Sequence, residues 1–168
     1  MSFTNYATGG TLGVDVTTAT SATPDFHPGA VVKTADGGEA IYVLAAATIA
    51  AGDVLQITST TGSAVGLTTT LAAAATATAG KVIGVAHVDI TNGQYAWACL
   101  KGIPTAGISV NNACALGAPL YTTATAGQVD DAATHLIAGM MLTATATATQ
   151  PTAGILSNPV LVRGTVGA

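Results

Sequence analysis

Charged side chains are scarce in this sequence. Its 168 residues include four Lys or Arg and eight Asp or Glu, 7% of the chain, where an ordinary soluble domain has about 25%. So few basic residues, spread along the chain, exclude the positive patch that binds nucleic acid, and we expect no such partner. Few charges also weaken the repulsion between copies. This composition favours a protein held in an assembly over one free at high concentration.

Long apolar runs and cysteines are also lacking. No run of about 18 residues is free of Thr or Gly, so we predict no membrane span. The first ten residues, MSFTNYATGG, lack the basic and apolar regions of a signal peptide. Cys99 and Cys114 are too few for a disulfide framework. We expect Cys99 to be a small buried side chain, with a Cys99–Cys114 bridge as the alternative.

Residues that catalyse reactions or bind metals are few and scattered. His27, His87 and His135 fall in separate turns and strands, and Asp130-Asp131 is the only acidic pair. We expect His87 to be a strand residue with a backbone partner, and the acidic pair to be a solvated turn rather than a cation site. No metal-binding spacing, phosphate loop or nucleophile elbow occurs. The sequence predicts no enzyme, with no catalytic, cofactor-binding or metal-binding residue and no cofactor.

What the sequence does contain is the pattern of β-strands. Lys81–Gly102 predicts two strands joined by a tight turn at Asn92-Gly93, of type I′, in which both central residues have φ > 0. After the turn, Tyr95, Trp97 and Cys99 alternate with Ala96, Ala98 and Leu100. Period 2 sends the large rings to one face. Because the only Trp lies here, we predict that the Trp97 face is core.

Further short apolar stretches alternate with Gly-containing turns at a spacing of about 8–12 residues, which is typical of an all-β protein. Strands are predicted at Ala30–Thr34, Glu39–Leu44, Asp53–Thr58, Ala64–Thr69, Ile103–Val110, Ala118–Thr123, His135–Thr143 and Val160–Val166, and Gly127–Asp130 is predicted to be a short strand or a turn. The Thr- and Ala-rich stretches Thr70–Gly80 and Ala144–Pro159 are predicted to be outside strands. No amphipathic helix of about 10–12 residues is visible. The fold class is therefore all-β, a small barrel or sandwich.

The sequence also contains an internal repeat. Ile49–Leu67 resembles Cys114–Ala132, with Gly52 matching Gly117 at an offset of 65 residues. Two further matches extend it, Gly84 with Gly139 and Lys101 with Arg163. We predict a duplicated β-unit, about 49–102 and 114–164, within one β domain at 24–168. Residues 1–23 are predicted to form an extended N-terminal arm, with a disordered tail as the alternative.

Five short motifs follow one another along the chain. They are His27-Pro28-Gly29-Ala30, Gly52–Leu55 (GDVL), Gly80–Ala86 (GKVIGVA), Leu100-Lys101-Gly102 and Leu116–Tyr121 (LGAPLY). Together they resemble the pattern of the small head decoration proteins of tailed bacteriophages, also called capsid cement proteins. In that family such elements lie on the strands of a small barrel. The resemblance covers about Pro28 to Arg163. The long arm before this range and the extended segment Ala144–Pro159 within it depart from the family's pattern.

The resemblance implies a virion structural protein that binds the outer surface of a capsid and stabilises it. Its partners would be the major capsid protein and other copies of itself, with a trimer favoured, and neither nucleic acid nor a membrane. The arm would be the attachment element and would become ordered on the assembly. The alternative is a phage tail or spike β domain that recognises a host surface.

Overall fold

The computed structural model describes residues 16–17, 20–58, 61–67, 81–132 and 135–162. The described residues form twelve strands and no helix, so the protein is all-β as predicted. The strands are β1 (Val31–Lys33), β2 (Glu39–Ala45), β3 (Val54–Thr58), β4 (Ser63–Gly66), β5 (Lys81–Ala86), β6 (Tyr95–Gly102), β7 (Ile108–Val110), β8 (Leu120–Thr122), β9 (Val129–Asp130), β10 (Leu136–Leu142), β11 (Gln150–Thr152) and β12 (Gly154–Val162).

Five strands close into a small barrel, which we call the first barrel. Its order is β2-β4-β3-β5-β6, and β6 pairs back with β2. The pairing of β2 with β4 is parallel and the others are antiparallel. Alternation along β3 places Leu55 and Ile57 in the apolar interior with Leu100, while Val54 belongs to a different cluster. The period-2 pattern of the sequence therefore separates an inside from an outside.

The same strand pairings recur in the second half of the chain. The strands β7 and β9 are parallel, β9 pairs with β8, β8 with β10, and β10 with β12. The series of pairings is completed by β11, which pairs with β7 and is separated from β12 in the sequence by Ala153 alone. We call β7–β12 the second barrel. Its interior includes Ile108, Leu120, Val129 and Leu142, all fully buried.

The strand register repeats at fixed offsets. In the first barrel Gln56 pairs with Val65, and 65 residues later Tyr121 pairs with Asp130. Towards the end of each barrel the offset becomes 56 residues, because Ala86 pairs with Ala98 as Leu142 pairs with Gly154. The offset of 65 seen in the sequence is thus also an offset in hydrogen-bonded register. The division into an arm at 1–23 and a domain at 24–168 stays a prediction.

Two of the proposed matches between the halves are wrong. Gly84 pairs with Leu55, and the equivalent partner of Leu120 is Ile137, whereas Gly139 lies at a bulge with φ 83°. A bulge places extra residues in one strand of a pair and shifts the register beyond it. The residue types stay typical of a strand, so a match between sequences does not reveal the shift. By the offset of 56, the counterpart of Lys101 is Ser157. Arg163 lies outside the described residues.

The predicted turn at Asn92-Gly93 is present, but its type differs. The N–H of Gln94 donates to the carbonyl of Thr91 at 3.0 Å, and Gly93 has φ 81°. Among the described non-glycine residues only Asn158 has a positive φ, so Asn92 has a negative φ. This excludes a type I′ turn, and the geometry fits type II. Pairing of β5 with β6 stops well before the turn, which therefore need not match the twist of two adjoining strands.

Three predicted segment boundaries are wrong. Only Ile108–Val110 of the strand predicted at Ile103–Val110 is extended, because the residues from Pro104 form a turn closed by Gly107 N–H on the Pro104 carbonyl at 3.0 Å. Ala144–Pro159, predicted to lie outside strands, contains β11 and most of β12. The first alternate buried residues there, Thr152 and Gly154, are not apolar strand formers, which hides the pattern. The final strand is β12, so it begins at Gly154 rather than at Val160. Residues 163–166 and Thr70–Gly80 lie outside the described residues.

The Trp97 face is buried, as predicted, but it lies outside the barrel. Trp97 is 3% exposed and shares a cluster with Tyr42 and Ala40, while its neighbours Ala96 and Ala98 line the interior. The covering comes from the N-terminal segment, since Val16 is fully buried in the same cluster. The other described members of this cluster are partly buried, among them Phe26, Ala30 and Val32.

The arm was expected to order only on an assembly, and for its described part this is wrong. Ser21 bridges to Tyr95, and the Thr20 hydroxyl hydrogen-bonds the side chain of Gln94. The reason is that the aromatic outer face of β6 offers Val16 a place to be buried within the same chain. Residues 1–15 and 18–19 lie outside the described residues.

The two barrels share one sheet and an apolar contact. The strands β6 and β12 pair through Lys101 and Ser157. Three residues that point out of the first barrel, Val54, Ile83 and Val85, join the apolar cluster of the second. We call this the inter-barrel face of the first barrel.

Candidate functional sites

His87 is a buried neutral histidine. It follows the end of β5 rather than lying in the strand, and is 7% exposed. Its Nδ1 accepts the backbone N–H of Thr105 at 3.4 Å and lies 3.0 Å from the Thr105 hydroxyl. Burial lowers the pKa of His87 to about 4, against a smaller raising effect of Asp36. The ring therefore ties the loop at Thr105 to the barrel in its neutral form.

Two other titratable groups near this end of the first barrel, Asp36 and Cys99, are also held by hydrogen bonds within the fold. The Asp36 carboxylate accepts hydrogen bonds from the Thr34 hydroxyl and the Gly38 N–H, and the first of these is the main cause of its lowered pKa. Burial raises the pKa of Cys99 to about 12, and its thiol donates to the Lys101 carbonyl at 3.5 Å. A thiol held in this state is not a nucleophile.

His27 and His135 lie apart from His87 and are not brought together. His27 is exposed, and its Nδ1 lies 2.8 Å from the carbonyl of Pro28. His135 is half-buried just before β10, and its Nδ1 has no hydrogen-bond partner among the described residues. The described histidines form no catalytic pair, because each belongs to a different part of the fold.

The structure does assemble one cluster that the sequence did not predict. Cys114, Asp130 and Asp131 place their ligand atoms within 4.8 Å of one another. The sequence spacing does not reveal the cluster because Cys114 comes from an isolated bridge to Ala146, 16 residues before Asp130. The N–H of Ala115 donates to Asp131 at 3.1 Å and the N–H of Ala132 donates to Asp130 at 3.3 Å. Burial raises the pKa of Cys114, whose thiol lies 3.9 Å from Asp130. These contacts use the carboxylates to hold the turn.

The Asp of the GDVL motif has a structural role. The Asp53 carboxylate accepts the backbone N–H of Ala50 at 2.8 Å, closing the turn before β3. Gly127 of the second barrel lies directly against Asp53, so that a Cβ added at Gly127 would come within 2.4 Å of the carboxylate carbon. Burial raises the pKa of Asp53. The motif therefore fixes both a turn and the contact between barrels.

The most distinctive surface is apolar and lies on β10 and β12. Its exposed side chains are Met141 (45%), Ile155 (41%), Val160 (58%) and Val162 (39%), and we call them the open face. Met141 pairs directly with Ile155, whereas Leu156 and Leu161 point the other way into the core. A shallow depression of about 270 Å³ lies beside them, lined by Gly139, Met140, Met141, Ile155, Leu156 and Ser157.

Sequence reasoning missed the open face, although a signal exists. The strands β10 (LIAGMML) and β12 (GILSNPVLV) have apolar residues at both alternating positions and contain no charged residue. A strand of a small barrel with one face in water should alternate between apolar and polar. Apolar residues on both faces indicate that the outer face also has a partner.

Comparison of the chain with known protein families, with curated proteins and with solved structures found no match. Across the described ranges, the structure contains no helix of sufficient length and apolar character to cross a membrane. The resemblance to phage decoration proteins therefore stays a prediction from the sequence motifs.

Proposed function

We propose that this protein is a virion structural protein that binds the outer surface of a bacteriophage capsid and stabilises it. One observation carries the proposal: the GDVL and LGAPLY motifs occupy equivalent positions in the two barrels. Gly52 and Gly117, with φ of 87° and 72°, are the third residues of the turns, and Leu55 and Leu120 are fully buried inside. These two motifs therefore contribute the same turn and the same buried Leu to each barrel.

The scarcity of charge is consistent with this role. Burying an unpaired ion against a partner costs roughly several kcal/mol, whereas Thr, Ala and Gly can be covered at little cost. A shell presents the same site many times, so weak contacts with several subunits add through effective concentration. A protein with 7% charged residues is suited to being covered in this way.

The attachment element in this proposal is residues 1–15. Ser21 is joined to Tyr95 by two backbone hydrogen bonds, so the segment preceding it starts from a fixed point on the first barrel. An extended segment can add a strand to the sheet edge of a neighbour. Non-catalytic binding also fits the polar groups described above, which serve turns and loops.

The test is co-sedimentation with undecorated capsids of the phage that encodes the protein. Full-length protein should sediment with the shells at a saturable ratio and raise their melting temperature. A variant lacking residues 1–15 should lose most of this binding, while a variant with Val31→Asp, an exposed residue of β1, serves as the surface control.

Two outcomes would count against the proposal. Absence of binding by full-length protein at saturating concentration would remove the decoration role, and specific binding to host cells instead would favour the tail or spike alternative. Equal binding by the truncated variant would leave decoration intact and move attachment onto the barrels.

A further inference from the structure

The open face of the second barrel is the counterpart of the inter-barrel face of the first. Met141 occupies the position of Val85, because Met141 pairs with Ile155 as Val85 pairs with Cys99. Leu136 likewise occupies the position of Ile83, opposite Tyr121 and Gln56 respectively.

Burial differs sharply between the equivalent positions. Val85 is fully buried and Ile83 is 4% exposed, because the second barrel covers them. Met141 is 45% exposed and Leu136 is half-buried. The same apolar face thus has a partner in one barrel and none in the other, and the partner in the first case is a barrel of this chain.

We propose that a second copy of this chain covers the open face. A copy could do so by repeating the contact within the chain or by presenting its own open face. Repeating the contact would require the surface of the second barrel that faces the first barrel of the same chain, which includes Ser109 and Gly127. Both are already engaged, Ser109 N–H with the Gly52 carbonyl at 2.8 Å and Gly127 N–H with the Leu67 carbonyl at 3.1 Å.

The equivalent surface of the first barrel is also occupied. Gly62, the counterpart of Gly127, lies so close to Pro28 and Gly29 that an added Cβ would come within 2.8 Å and 2.5 Å of them. Pro28 and Gly29 therefore cover this surface of the first barrel. A further copy cannot bind there to continue the chain of barrels head to tail. The remaining contact joins two open faces about a two-fold axis.

The chemistry of the open face fits such a self-contact. In a two-fold contact the same patch is buried on both copies, so a charge close to the axis would meet the like charge of its own copy. The strands β10 and β12 carry none. The exposed Met and β-branched side chains on either side of the depression supply apolar area that association removes from water. An interface of this limited extent is in the weak class, with dissociation constants of roughly micromolar or above.

Sedimentation equilibrium of the full chain, from about 10 µM to about 1 mM, tests the proposal. The wild type should dimerise. Ile155→Asp and Met141→Lys should each weaken dimerisation at least tenfold, because each places two like charges in the contact. Val31→Asp, at a side chain 53% exposed on β1, the edge strand beside β2, is the control and should dimerise as the wild type does.

Unchanged melting of both open-face variants would show that they fold. A wild type that stays monomeric over this range, one that forms trimers, or dimerisation unaffected in the open-face variants would overturn the proposal. The samples contain no capsid, so this test and the capsid-binding test can fail independently.

Discussion

Ser21 and Tyr95 exchange two backbone hydrogen bonds, Ser21 N–H to the Tyr95 carbonyl at 3.1 Å and Tyr95 N–H to the Ser21 carbonyl at 2.8 Å. This bridge joins the N-terminal segment to the first residue of β6. Tyr95 also stacks on Tyr42, with ring centroids 5.9 Å apart and planes 12° apart. The segment is thereby part of the outer layer of the first barrel.

Removing residues 1–23 should therefore destabilise the first barrel. A variant lacking 1–15 is the reference, so the comparison reports the contacts of Val16 and Ser21. Loss of one buried Val and two hydrogen bonds should lower the free energy of unfolding by roughly 3 kcal/mol. Urea denaturation followed by the fluorescence of Trp97 measures this. Equal stability of the two truncations would show that the segment is not part of the folded unit.

Trp97→Ala should lower the free energy of unfolding by about 3–5 kcal/mol. The ring packs against Tyr42 at 5.0 Å and Phe26 at 5.2 Å between centroids, so truncation leaves a cavity between the segment and the barrel. Thermal melting by circular dichroism is the measurement. Tyr121→Ala, at a half-buried ring on the second barrel, is the control and should cost much less. An unshifted melting temperature for Trp97→Ala would contradict the assignment of this face as core.

Stability should fall as the pH is lowered from about 6.5 to about 4. The pKa of His87 is near 6.5 in the unfolded chain and about 4 in the fold, so over this window protons bind the unfolded state preferentially. The difference corresponds to a loss of roughly 3 kcal/mol once the pH is below both values. Urea midpoints at pH 7 and pH 4.5 measure it.

The matched variants separate His87 from the other groups that titrate in acid. His87→Gln should lose most of this pH dependence, whereas His27→Gln, at an exposed ring, should retain it. An acid response in His87→Gln as large as in the wild type would assign the effect to the carboxylates.

Gly127→Ala should destabilise the protein more than Gly37→Ala. Both glycines have positive φ, 77° and 81°, which should cost an alanine roughly 1–2 kcal/mol at either site. An added Cβ meets nothing within 4 Å at Gly37 but comes within 2.4 Å of Asp53 at Gly127. This clash should add roughly 1–3 kcal/mol. Similar melting temperatures for the two variants would show that the barrels do not pack tightly at Asp53.

Purified protein should contain no stoichiometric transition metal. The carboxylates of Asp130 and Asp131 already accept backbone N–H groups, and the raised pKa of Cys114 keeps its thiol protonated. Binding would require breaking these contacts and releasing a proton. Elemental analysis after dialysis against Zn²⁺ is the measurement, with Cys114→Ser as the comparison. One zinc per chain in the wild type and none in the variant would refute this prediction.

The sequence by itself determined the fold class and the face of each strand in the clearest segments. Leu55 and Ile57 alternate with Val54 and Gln56, and because side chains of a strand point alternately to its two faces, this pattern is sufficient to predict an inside and an outside. The repeat offset of 65 was also readable, since Gly52 and Gly117 hold the same turn with positive φ. Burial of Trp97 followed from the same alternation.

Only the tertiary structure decided what covers each outer face. Val16 reaches Trp97 across about 80 residues of sequence, and Met141 is exposed where its counterpart Val85 is buried. Local patterns report which residues avoid water, but the partner that excludes the water is chosen by the closure of the barrels and by their contact. The neutral state of His87 has the same origin, because its desolvation is imposed by a loop 18 residues further along the chain.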